Sequence, residues 1–189
     1  MTEEVDINLN TPDLIKYNEA VEFNAKRKNN FMFNNEGNEM ALIVFRSIFR
    51  NATNAIKIVA NSLNNKVTNH KEYISALESF LMKPDSKLEL LLSKYDGNQL
   101  NDCHLFNMLK QYKDKVSIKV IENGKTFKDS KGRIIHFCIA DAHMYRLEYN
   151  TEKRMAECNF NDIKECQLLD ELFCSVFSNN TLSRNEVLA

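Results

Sequence analysis

The sequence predicts an α/β domain, a mixed and mostly parallel sheet with helices on both faces. Three observations carry this. Stretches with apolar residues at helical spacing alternate with short strand-like runs from residue 39 to residue 121. The helical stretches between those runs are long enough for right-handed crossovers, which join parallel neighbours. A cluster of three strand-like runs without intervening helices then follows over residues 134–160, as for antiparallel neighbours in a mixed sheet.

The elements follow in order. Thr11-Pro12-Asp13 opens a helix, with Thr as N-cap and Pro at the first helical position, running to about Lys26. Phe31-Met32-Phe33 is an apolar cluster outside any period, read as packing of an N-terminal arm onto the core or onto a second subunit. Glu39 to Asn51 is an amphipathic helix through Met40, Ile43, Val44 and Ile48. Ala55–Ala60 reads as a buried strand. Lys71–Met82 is a helix with Tyr73, Ile74, Leu77, Phe80 and Leu81 on its stripe, ended by Lys83-Pro84-Asp85. Lys87–Ser93 is a strand, Leu100–Tyr112 a helix, and Val116–Ile121 an alternating strand. Ile134–Ala140 is a nearly continuous apolar run, as for a strand buried on both faces. Met144–Tyr149 alternates, with Arg146 and Glu148 on one face and Tyr145, Leu147 and Tyr149 on the other. Asp141-Ala142-His143 between them suits a tight turn, although it has no Gly. A strand near Met155–Phe160 and a helix from Asp162 to about Phe177 complete the series. The domain limits read as a 1–36 arm with its helix, a 37–178 α/β domain and a flexible 179–189 tail.

Composition narrows the function classes. At 189 residues, 43% hydrophobic and 27% charged, the chain suits one globular domain with a real core. A net charge of −1 gives no global basicity to draw nucleic acid. The segment Lys110–Arg133 is locally basic, with eight Lys and Arg against three acidic residues. Its Lys128, Lys131 and Arg133 read as a solvated hairpin or as a phosphate-contacting rim. The acidic start and the absence of a long apolar run predict a cytoplasmic protein with no membrane span. Five cysteines without a C-x-x-C read as reduced, mostly buried thiols. His136, Asp141 and His143 lie close in sequence, but a strand puts 136 and 141 on opposite faces, so no metal is expected and no cofactor is indicated. Gly-rich phosphate loops, serine elbows and H-E-x-x-H are absent from the sequence, which removes the common NTPase, esterase and zincin readings.

The stretch R-I-I-H-F-C-I-A-D-A-H-M-Y-R-L-E-Y-N, followed by A-E-C-N-F-N, resembles the motif region of the phospholipase D-like superfamily in degenerate form. That pattern is His-x-Lys, four residues, Asp, and later Gly-Ser-x-Asn. Matching Asp141 to the family Asp puts His136 in place of the Lys, Ile134 in place of the nucleophilic His, and Asn159 on the final Asn. Matching His136 to the nucleophile instead puts Cys138 on the Lys and leaves the Asp position to His143. The resemblance spans about residues 37–178 and implies a phospholipase D-like half-domain. It further implies a single motif copy and hence a homodimer, with an unknown protein partner in a bacterial or phage-related multi-protein system. The missing nucleophile implies a catalytically inactive binding or scaffold subunit. The alternative is a metal-independent phosphodiesterase or nuclease built on His136, Asp141 and Asn159. Arg146 and Glu148 lie outside the family signature and read as an ion pair, with His143 beside them as a further binding candidate.

Overall fold

The computed structural model describes residues 7–94, 103–121 and 126–178. Residues 1–6 of the expected N-terminal arm, the opening turn of the helix expected from Leu100, residues 122–125 of the expected hairpin and the expected 179–189 tail lie outside these residues. In chain order the elements are α1 (Pro12–Arg27), β1 (Phe33–Asn35), α2 (Gly37–Asn51), β2 (Ala55–Ala60), α3 (Lys71–Leu81), β3 (Lys87–Leu92), α4 (His104–Gln111), β4 (Val116–Val120), β5 (His136–Ala140), β6 (Met144–Asn150), β7 (Met155–Asn159) and α5 (Ile163–Phe177). None of the described helices is long and apolar enough to cross a membrane.

The strands form one sheet in the order β1-β7-β6-β5-β2-β3-β4. β2–β3 and β3–β4 are parallel, joined through α3 and α4 as the helical spacing requires. The other four pairings, β1–β7, β7–β6, β6–β5 and β5–β2, are antiparallel. The sheet is therefore mostly antiparallel, a correction to the expected parallel majority. The reason lies at β5, which enters beside β2 running the opposite way, with Val59 across from Phe137 and Ile56 across from Ala140.

Two apolar clusters sandwich the sheet. Residues of α1 to α4 fill one face, where Phe45, Phe49 and Tyr73 meet ring to ring, Phe49 and Tyr73 at 4.9 Å between centroids. α5 covers the other face through Cys166, Leu169 and Phe173. Each buried Phe or Leu contributes roughly 1.5–3 kcal/mol, so both faces are held by the hydrophobic effect. Phe33, from the apolar cluster expected to pack an N-terminal arm onto the core or a second subunit, lies in edge strand β1, pairs across from Cys158 and stacks on Phe160 at 5.4 Å. Strand β5 begins only at His136, so the expected 134–140 strand is shortened. Ile134 is exposed and makes an isolated bridge to Lys128, while the Ile135 N–H donates to the Phe127 carbonyl at 3.0 Å.

The β5–β6 turn is built on two left-handed residues, Asp141 (φ 50°) and Ala142 (φ 58°). Asp tolerates this conformation through local hydrogen bonds, whereas Ala carries a Cβ penalty of about 1–2 kcal/mol. Ala142→Gly is expected to stabilise the fold by about 1 kcal/mol after the entropy cost of glycine. A urea midpoint that does not rise would show that the turn relaxes without it.

Candidate functional site

The site is built on the face of β5, β6 and β7 that turns towards α2. Directly opposed residues of an antiparallel pair share a face. The register sets His136 across from Glu148 and Cys138 across from Arg146, and on the far side Arg146 across from Cys158 and Glu148 across from Ala156. Arg146 is thus flanked by small residues, which leave room for a guanidinium inside the sheet's cover. Arg146 and Glu148 are 2% and 3% exposed, more buried than Leu147 and Tyr149 beside them.

Glu148 is the hub. Its Oε2 accepts from Arg146 Nη2 at 2.7 Å and lies 4.0 Å from Arg154 Nη1, and its Oε1 is 3.3 Å from His136 Nδ1. Burial pushes its carboxyl pKa up, but the hydrogen bond from His136 and the charges of Arg146 and Arg154 outweigh this, leaving it below the usual carboxylate value. Arg146 also donates Nε–H to Asn35 Oδ1 at 3.0 Å and lies over the Phe45 ring, 4.8 Å from its centroid. Asn35 in turn donates to the Arg154 carbonyl at 2.9 Å. Strand β1, the β6–β7 turn and helix α2 therefore lock the pair in place.

Phe45, His136, Arg146, Glu148 and Arg154 line a cavity of about 240 Å³. It lies at the carboxyl end of β2, bounded by Asn61, Ser62, Asn65 and Thr68 of the following loop, by His136 and Phe137, and by Thr151 and Arg154. Crevices at the carboxyl ends of parallel strands are where α/β folds place ligands. Two of the residues lining it carry a buried side-chain atom without a hydrogen-bond partner, His136 Nε2 and Asn61 Oδ1. Arg154 is held below its usual pKa by burial, partly offset by Glu148.

The remaining expected residues stand apart. Asp141 follows the far end of β5, where its Oδ2 accepts from Thr53 N–H at 2.6 Å and Thr53 Oγ1 at 2.9 Å, and its Oδ1 from Asn54 and Ala55 N–H at 2.8 and 3.0 Å. Burial raises its pKa, and these donors more than reverse the effect, holding the carboxyl low. Asn159 pairs in register with Tyr145, donates to Asn30 at 2.9 Å and accepts from the Asn161 N–H at 2.9 Å. His143 Nδ1 lies 2.9 Å from the Asp141 carbonyl. The structure therefore brings together His136, Arg146 and Glu148, and leaves Asp141, His143 and Asn159 at the opposite end of the sheet. Lys128, Lys131 and Arg133 are exposed on the hairpin before β5 and do not line the cavity; Arg133 is bridged to Asp129 at 2.6 Å. Cys138 stays a neutral thiol, its pKa driven far up by burial, and Cys158 is pushed up to about 12 in the same way. Among the described residues no group of three or more His, Cys, Asp or Glu side chains gathers for a metal ion.

Asn35, Phe45, Asn61 and Arg154 were not legible as site residues, because they come from four separate segments. One signal was available for Asn61: polar residues directly after a buried parallel strand, where ligands gather in such folds.

Neither a protein-family model nor a curated protein sequence matches the chain. Solved structures do. The phospholipase D family member Nuc from Salmonella typhimurium superposes with a TM-score of 0.59 at 12% identity, over 81% of this chain and 97% of that one. NucT from Helicobacter pylori gives 0.53 at 13% identity, over 80% and 99%. TrmBL2, an archaeal chromatin protein whose structure shows a novel mode of DNA binding, gives 0.56 at 13% identity and 90% coverage; this chain spans 62% of its length. The chain has the phospholipase D-like fold.

Proposed function

We propose that this chain is a catalytically silent phospholipase D-like binding module, assembled as a homodimer, that holds a phosphate-bearing ligand in the cavity beside His136 and Arg154. One observation carries the reading. The cavity presents two guanidiniums and an imidazole against a single carboxylate, which Arg146 already neutralises. An anion entering there meets Arg154 partly stripped of water and approaches His136, whose buried Nε2 has no partner, and both gain from a phosphate oxygen. Residues that would complete a catalytic set, Asp141 and Asn159, are engaged at the other end of the sheet. The single motif copy supports pairing of two such modules, and a partner protein in a larger assembly fits a module that binds without turning over.

The test is calorimetric titration with inorganic phosphate. Arg154→Gln is expected to weaken binding about tenfold or more, the loss of one charge-assisted hydrogen bond. Absence of binding to the unaltered protein, or equal affinity in the variant, would sink the reading.

A second reading is favoured by the imidazole itself. His136 Nδ1 is held towards Glu148 while Nε2 is buried without a partner, the pairing a carboxylate gives a working histidine. In a phosphodiesterase built on it, Nε2 would form a bond to phosphorus as the P–O ester bond breaks, the departing alkoxide taking a proton from an acid. Without the family Lys, such a site loses roughly 10²–10³ in rate, the usual cost of one transition-state contact.

A further inference from the structure

The loop leaving β2 forms one wall of the cavity and is braced from within. Thr68 Oγ1 donates to the Leu63 carbonyl at 2.6 Å, and Asn65 Oδ1 accepts from the N–H groups of Val67 and Thr68 at 3.0 and 3.2 Å. The Lys94 N–H holds the Asn61 carbonyl at 2.8 Å, and the Cys103 thiol donates to Asn69 Oδ1 at 2.8 Å. This bracing fixes the backbone of Asn61, whose side chain lines the cavity with Oδ1 buried and unpartnered. An unsatisfied buried acceptor costs about 1–3 kcal/mol, a cost that a ligand donor reaching it would offset. His136, whose Nε2 is likewise unpartnered, lines the same cavity, as does Arg154 of the β6–β7 turn.

The cavity therefore offers two unlike ends. One is cationic and suits an oxyanion. The other is an amide oxygen that accepts and is flanked by Ser62. At about 30 Å³ per water-sized group, 240 Å³ takes roughly eight non-hydrogen atoms, more than a bare phosphate fills. We propose that Asn61 is a specificity-determining residue that accepts a hydrogen bond from a hydroxyl on the organic part of a phosphate ester, so that the module distinguishes hydroxylated esters from plain ones. This rests on the phosphate-binding reading above and adds the chemistry of the group attached to the phosphate. Such esters come from two sources, a nucleotide ribose or a glycerophosphate headgroup.

The experiment titrates the full chain and its Asn61→Ala variant with inorganic phosphate, ethyl phosphate, glycerol 3-phosphate and adenosine 5′-monophosphate. The unaltered protein is expected to bind at least one hydroxylated ester about tenfold more tightly than ethyl phosphate, the ratio of one well-made hydrogen bond. In Asn61→Ala that ratio falls to about one while inorganic phosphate binds as before, which also shows that the variant is folded. Preference for the nucleotide alone supports a nucleic-acid or nucleotide source, and preference for the glycerol ester alone supports a headgroup. If phosphate binds but ethyl and hydroxylated esters bind alike, or the variant keeps the preference, the Asn61 assignment is overturned. If phosphate does not bind the unaltered protein at all, the phosphate reading fails first and the Asn61 assignment falls with it.

Discussion

Glu148→Ala is expected to destabilise the protein by about 3–5 kcal/mol, the cost of leaving a buried guanidinium without its counter-charge. Arg146 is 2% exposed and its Nη2 donates to Glu148, so losing the carboxylate leaves the guanidinium with the Asn35 oxygen and the Phe45 ring but no counter-charge in contact. The double variant Arg146→Met/Glu148→Leu removes both charges and is expected to recover most of the loss, because a well-packed apolar pair of similar volume often does as well as a buried ion pair. Urea unfolding of the two variants decides it. A single variant within about 1 kcal/mol of the parent would show that Arg146 finds another partner. The pH dependence follows from the same contact. Glu148 has a folded-state pKa below its unfolded value, so its contribution is fully present above the ordinary carboxylate pKa of about 4.3 and is lost as pH falls through the lower, folded value. In the alanine variant this acid-side loss is expected to shrink.

Asp141→Ala is expected to cost about 2–3 kcal/mol through a different mechanism. One carboxylate satisfies three backbone N–H groups at the entrance to β2 and the Thr53 hydroxyl, tying the β5–β6 turn to the adjoining strand. Hydrogen bonds to a charged group contribute about 1.5–3 kcal/mol each when buried; here water reaches part of the group, and the sum falls well short of additivity. Asp141→Asn keeps one acceptor oxygen and is expected to lose less. Asp141 too has a depressed pKa, so its share of stability is likewise present above about 3.9 and lost on acidification. Phosphate affinity measured on the folded Asp141→Asn protein is expected to match the parent, since the residue lies at the end of β5 away from the cavity. A tenfold loss there would instead tie Asp141 to the ligand site.

What could be read from the sequence followed from periodicity. Helix α2 was legible from Met40, Ile43, Val44 and Ile48, and the structure buries Ala41 to Phe45 and Ser47 to Phe49. The helix-linked strands β2, β3 and β4 followed from their crossovers. The direction of β5 against β2 did not, because no helical pattern separates β4 from β5 in the sequence and apolar content alone does not fix strand direction. The alternation of β6 was read correctly as two faces. Nothing in that alternation showed that α2 covers the face of Arg146 and Glu148, where Phe45 lies against the guanidinium. Asp141 drew attention as a motif residue because a carboxylate at a strand end can serve catalysis or cap a neighbouring strand. Only the positions of Thr53, Asn54 and Ala55 distinguish these uses. The cavity itself was illegible, since Phe45, Asn61, His136 and Arg154 meet only after the sheet closes the distance between their segments.

Hydrolysis tests the silent-module account most directly. Single-stranded DNA, RNA and a generic phosphodiester are incubated with the parent protein and with His136→Ala in the presence of EDTA, both shown to be folded by their thermal transitions. The account predicts no turnover above background by either protein. Turnover by the parent that disappears in His136→Ala would contradict it, making His136 a nucleophile and the chain a phosphodiesterase.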